Sequence, residues 1–167
     1  MSEPEDGRDP AATRTIEGHQ VVLNGRSVHS RLWFKIYEVS LYLESPSRKA
    51  EEILESDSVK LVRMKFLRNI KAEQFRDSWK EAFEDNCEES CRELNPYLLD
   101  LNSKIVNFLK GDVLEFVFEN RSMYIFSPKL GRINFESAEF GRVVLSIWLG
   151  KHPPSQSFKK ALLGLKD

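Results

Sequence analysis

Phe75, Trp79, Phe83 and Cys87 stand four residues apart in the stretch KAEQFRDSWKEAFEDNCEESCR, joined by Ala72 and Ala82 on the same broad face. Side chains at that spacing stack along one face of an α-helix, so the pattern predicts an amphipathic helix over 71–92. The acidic residues between Glu81 and Glu89 form its solvated face. An aromatic stripe of this kind is core, and it requires an apolar surface to lie on.

The flanking segments read as the sheet that supplies one. Residues 16–23 predict a strand entering a tight turn at Asn24-Gly25, after which the chain returns as the second strand of a hairpin. RLWFKIYEVSLYL at 31–43 is then an early strand, but its alternation fails on both faces. One face carries Trp33, Lys35, Tyr37, Val39, Leu41 and Leu43, the other Leu32, Phe34, Ile36, Glu38, Ser40 and Tyr42. Either the strand is covered on both sides or one face borders a cavity. Ser45-Pro46-Ser47 ends it, SRKAEEILES reads as a short helix, and SVKLVRMKFLR as a strand with Val62, Met64 and Phe66 opposite Arg63 and Lys65. Asn95-Pro96 predicts a helix start whose apolar face, Leu98, Leu101, Ile105 and Phe108, runs to Lys110-Gly111.

Beyond Gly111 the sheet resumes as two or three strands, with a turn at 119–122. A helix over 137–149 places Phe140, Val143, Val144, Ile147 and Trp148 on one stripe, and SQSFKKALLG supplies a last short helix. The order of strands, helices, strands and helices predicts an α+β fold, a large antiparallel sheet covered on one side by helices.

Several function classes are disfavoured by the totals. The chain has 167 residues, enough for one domain with its own core. It divides into a flexible acidic tail over 1–14 and a single domain over 15–167. Its 25 Lys+Arg against 26 Asp+Glu leave no basic field for nucleic acid. No apolar run approaches the roughly 18 residues of a membrane span. The opening residues lack a signal-peptide pattern, so as written the chain is expected in the cytoplasm, or in the periplasm or another exported location if a signal has been removed. Cys87 and Cys91, in helical phase, read as ordinary helix cysteines suited to a reducing compartment rather than as a disulfide. No metal cluster, phosphate loop or nucleophile motif is present, and no cofactor is expected. The three histidines, His19, His29 and His152, read as scattered loop residues.

Three blocks, LNGRSVHSRLWFKIYEVSLYL, MKFLRNIKAEQFRDSWKEAFEDN and LGRINFESAEFGRVVLSIWLGKHPPSQSFKKALLG, give the chain from about Val21 to Gly164 a pattern that resembles the chalcone isomerase family, in particular its bacterial chalcone isomerase-like branch. The resemblance implies an open-faced β-sandwich in which helices and sheet enclose a cleft. In the plant enzymes of the family a phenolate oxygen adds to an enone and closes a flavanone ring, so charge builds on a ketone oxygen that placed donors must meet. Carried over one at a time, the family arginine falls near His29, with Arg26 and Arg31 close by. The strand threonine falls on Tyr37, two residues after the Lys35 that matches a family lysine. The helix tyrosine falls on Phe75, the asparagine on Ala82, and the polar residue of the late helix on Ile147, beside Trp148.

Nearly every donor has thus become apolar. The family also holds noncatalytic fatty-acid-binding members, and the resemblance implies a noncatalytic domain whose cleft takes a fatty acid or similar amphipathic small molecule. The ligand-binding candidates are His29, Arg31, Lys35, Tyr37, Phe75, Trp79, Ile147 and Trp148. One alternative is an isomerase, an intramolecular lyase using Tyr37 as ketone donor with His29 or Arg31 near the nucleophile. The other is a structural or protein-binding domain whose cleft is filled by its own aromatics.

Overall fold

In the computed structural model, which describes residues 11–165, the chain first reverses at Glu17-Gly18, between β1 (Thr13–Ile16) and β2 (His19–Arg31). Both turn residues have positive φ, 50° and 82°, as a two-residue hairpin turn demands. The expected turn at Asn24-Gly25 is therefore wrong: this pair lies inside β2, at a β-bulge between Leu23 and Gly25. Glycine within a strand marks a bulge or a close backbone approach, and Gly25 is both. A Cβ there would collide with the Ala161 and Leu162 carbonyls, while Asn24 Nδ2 donates to the carbonyls of Leu162 and Ser47, each at 2.9 Å. Of the expected tail, positions 1–10 lie outside the described residues, and Thr13 and Arg14 already belong to β1.

RLWFKIYEVSLYL is not one strand either. A turn at Leu32-Trp33 splits it, so that Arg31 pairs with Phe34 and β3 is Phe34–Leu43. The register then slips: His29 pairs with Tyr37 and Ser30 with Lys35, leaving Ile36 as the extra residue of a bulge. Beyond it the alternation is regular, with Val39, Leu41 and Leu43 in the main core and Tyr42 on the opposite side. The strands β4 (Lys60–Phe66), β5 (Val113–Phe118), β6 (Met123–Ser127) and β7 (Gly131–Phe135) complete one antiparallel sheet whose strands lie in chain order.

The inner face of this sheet, including Val62, Met64, Phe66, Phe116 and Ile125, joins the helices in one core. The outer face has a smaller cluster of its own, among them Ile16, Val21, Tyr42, Leu61, Val117 and Tyr124. The first hairpin covers it. Arg14 on β1 bonds to Glu115 on β5, and the Tyr42 hydroxyl donates to the Ala11 carbonyl at 2.7 Å. The Tyr124 hydroxyl, on β6, donates to Glu17 Oε1 at 2.9 Å. Since the ladder pairs β1 with β2 at the sheet's edge, these contacts require the sheet to curl until its first hairpin lies across its own outer face. The α+β class and the helix-covered antiparallel sheet are as expected.

The helices are α1 (Ala50–Glu55), α2 (Ala72–Asn86), α3 (Cys91–Lys104), α4 (Ala138–Leu149) and α5 (Gln156–Leu162). The helix expected over 71–92 ends early, because Glu88 takes a positive φ of 49° and a single 3-10 turn, Glu88–Ser90, follows. Cys87 and Cys91 consequently sit on either side of a break, with Cα atoms 4.9 Å apart, and they form a disulfide. The reading of two ordinary helix cysteines is corrected: the objection to a bond at this spacing applied to a continuous helix, and 4.9 Å is within disulfide reach. Pro96 lies inside α3 rather than at its start. That helix stops at Lys104, and Phe108 instead forms a bridge with Ile70 and stacks on Phe66 at 4.6 Å. Ser137 caps α4 by accepting from the Phe140 N–H at 3.0 Å. Every residue from Val143 to Leu149 is buried, the condition of a helix enclosed by its neighbours.

Candidate functional site

A cavity of about 750 Å³ lies between α2, the end of α4 and the β2, β3 and β4 part of the sheet. Its apolar wall includes Tyr37, Phe66, Phe75, Trp79, Ile147 and Trp148. Helical spacing stacks Phe75 on Trp79, with ring centroids 5.7 Å apart and planes inclined by 13°. Trp79 in turn stacks on Phe116 at 5.5 Å and leans on Trp148 at 6.2 Å. Rings that brace one another in this way make the wall a preformed surface.

The polar groups of the cavity are neutral donors in its depth and charges at its rim. Tyr37 packs against His29 at 5.0 Å and meets Phe158 of α5 edge-on at 6.3 Å. Burial pushes its hydroxyl far above the usual phenol range, keeping it a neutral donor. The Trp148 indole N–H faces that hydroxyl and offsets a little of the rise, yet it does not reach hydrogen-bond geometry. Burial, and then the charge of Arg31, lower the pKa of His29, so its imidazole is uncharged at neutral pH. Trp79 Nε1 and Trp148 Nε1 are both buried without a hydrogen-bond partner. Buried donors are rarely left so.

At the rim stand the exposed Arg31 and Arg68 from the strand side and Asp77, Glu81 and Asp85 from α2, with His152, Pro153 and Pro154 beyond the end of α4. Of the positions singled out from sequence, His29, Arg31, Tyr37, Phe75, Trp79, Ala82, Ile147 and Trp148 all line the cavity. Lys35 does not. The bulge at Ile36 breaks its parity with Tyr37, so Ile36 lines the cavity and Lys35 is exposed outside it. Glu38, on the other face, lies 3.6 Å from Arg26, which accounts for a charge that alternation alone left unexplained.

Sequence reasoning missed Arg68 and the donor character of the two tryptophans. Arg68 was legible, because it continues the parity of Val62, Met64 and Phe66. The indoles were counted as apolar wall, although tryptophan brings a polar N–H wherever it is buried. The arrangement can hold an apolar body with an oxygen-bearing end against Tyr37. Phe75 brings no hydroxyl there. Among the described residues no group of three or more His, Cys, Asp or Glu is placed to hold a metal ion, and no helix is long and apolar enough to cross a membrane.

Comparison with known proteins agrees with this architecture. The fold matches the crystal structure of a fatty-acid binding protein of Arabidopsis thaliana with a TM-score of 0.76 at 13% sequence identity, over 98% of this chain and 95% of that one. At that identity the likeness speaks for the fold alone. A sequence search of curated proteins finds no match. The profile of chalcone isomerase-like proteins, however, matches residues 5–164, nearly the whole chain including every strand and helix described above, and the chain therefore belongs to the chalcone isomerase-like family.

Proposed function

We propose that this protein is a noncatalytic binding module, a member of the family's bacterial branch on its three sequence blocks, which holds a fatty acid or similar amphipathic small molecule in the cavity under α2. The observation that carries the reading is a preformed cavity of about 750 Å³ walled by Tyr37, Phe75, Trp79, Ile147 and Trp148. Ligand sites in proteins are of this size and of this mostly apolar character. Hydrocarbon buried there gains about 0.8 kcal/mol per methylene. The Tyr37 hydroxyl is suited to the oxygen-bearing end. The name of the Arabidopsis thaliana protein, which has the same fold, is consistent with this class of ligand.

An isomerase would need donors converging on a ketone oxygen, and the family's helix hydroxyl is absent at Phe75. A cleft filled by its own aromatics does not describe a space of this volume. The test is a binding series of saturated fatty acids. Each added methylene should tighten binding about fourfold until the cavity is full. Affinity independent of chain length, together with no copurifying ligand in mass spectrometry of the extracted protein, would sink the reading.

The cytoplasmic location expected from the sequence is also a proposal, and the Cys87–Cys91 bond makes it testable. Structural disulfides are rare in a reducing cytosol. Alkylation of both thiols in intact cells supports the cytoplasm; protection of the pair moves the protein to an exported compartment.

A further inference from the structure

The tip of the β2–β3 hairpin is the most exposed apolar surface among the described residues. Leu32 is 81% and Trp33 89% exposed, and Phe34 beside them 53%. The fold does not ask for such residues there. A two-residue hairpin turn favours Gly, Asn or Asp where φ is positive, yet this turn places Leu32 at φ 58°. Cations surround the tip. Arg31 and Lys35 flank it in sequence and are exposed, and the guanidinium of Arg68 lies 4.7 Å from the centre of the Phe34 ring. No carboxylate occurs between Ser27 and Tyr37, so this cationic collar stands out on a chain whose net charge is only −1.

We propose that this tip docks the protein on an anionic lipid bilayer, with Leu32, Trp33 and Phe34 entering the headgroup region and Arg31, Lys35 and Arg68 meeting the lipid charges. Tryptophan with flanking cations is the composition that suits the boundary between headgroups and acyl chains. A protein partner fits less well. A stable interface buries about 800 Å² on each side, more than three side chains on a protruding turn can supply. His29 and Arg31 on β2, Ile36 on β3 and Arg68 also line the cavity, so docking by the tip sets the strand side of the cavity rim beside the bilayer, with Asp77, Glu81 and Asp85 on the α2 side of the mouth. Docking itself does not depend on what the cavity holds; a role in loading the cavity from the bilayer rests on the ligand-binding reading.

The experiment is cosedimentation with vesicles of phosphatidylcholine alone and of phosphatidylcholine with phosphatidylglycerol, alongside tryptophan emission. The expected result is sedimentation with the anionic vesicles and a blue shift from Trp33, since Trp79 and Trp148 are already buried. Leu32→Ser, Trp33→Ser and Phe34→Ser together should lower partitioning about a hundredfold or more. Mass spectrometry of lipid extracted from that variant, and its urea midpoint, report separately on cavity and fold. Wild-type protein left in the supernatant overturns the proposal, as does a folded triple variant that sediments equally. Tip-dependent self-association without vesicle binding overturns it too, in favour of a second copy as partner. A ligand-free cavity with intact vesicle binding counts against the ligand reading alone.

Discussion

Glu115→Ala should cost about 3–5 kcal/mol, because it takes the carboxylate out of a buried ion pair with Arg14. The pair is well shielded: the side chains of Arg14 and Glu115 are 4% and 11% exposed. Both guanidinium nitrogens of the fork engage both carboxylate oxygens, the longer contact being 3.2 Å. Arg63, wholly buried, stands opposite Glu115 in the β4–β5 register. For a chain of this size the loss corresponds to a fall in Tm of roughly 6–20 °C, and it is a large share of a total stability of about 5–15 kcal/mol. Urea unfolding followed by circular dichroism measures it. Replacing both partners, Arg14→Met with Glu115→Leu, should recover part of the loss, since a buried pair exchanged for apolar groups is often neutral. The pair also pins the first hairpin onto the outer face, so amide exchange in β1 should accelerate more than in β5. A cost for Glu115→Ala below about 1 kcal/mol, with β1 exchange unchanged, would refute both the energetics and the strap.

Three further outcomes follow from the cavity and its surroundings. Ala82→Phe, which points a ring into the cavity from α2, should lower ligand occupancy at least tenfold by mass spectrometry while stability stays within about 1 kcal/mol of wild type. The pKa of His29 is lower in the folded than in the unfolded chain, so below about pH 6.5 the unfolded chain binds more protons and stability falls until the folded pKa is passed. His29→Gln should remove that part of the slope in urea midpoints measured against pH, and an identical slope would contradict the assignment. Reducing the Cys87–Cys91 bond should cost about 2 kcal/mol at most, because the loop it closes is short. The α2–α3 junction should be the first region to gain amide exchange.

How much of this was legible in the sequence depended on whether a pattern is set locally. Phe75, Trp79 and Phe83 declared their shared face because helical spacing is independent of what lies opposite, and all three are buried. Residues 137–149 did the same. Helix ends were harder to read. The stop after Asn86 rests on Glu88 at positive φ and on a bond to Cys91, and the pattern of apolar residues carries neither. The outer-face strap was also hidden, because nothing in TRTI indicates that Arg14 will meet a carboxylate 101 residues away.

The strand 31–43 is the sharpest case, since alternation there was read with the right residues and the wrong parity. Parity holds only where each residue has one partner across the ladder. A turn at Leu32-Trp33 and a bulge at Ile36 each reset it. Two resets within five residues turn an uninterpretable pattern into three separate environments: an exposed tip, a cavity edge and a regular strand between two cores. Lys35 was assigned to the cavity by its parity with Tyr37, and the bulge between them is what releases it to the cationic collar of the tip. If that is the physical cause, deleting Ile36 should rejoin Lys35 and Tyr37 to one register. The deletion would force either the tip or His29 to change faces, at a cost in stability far larger than that of Ile36→Ala, which keeps the bulge.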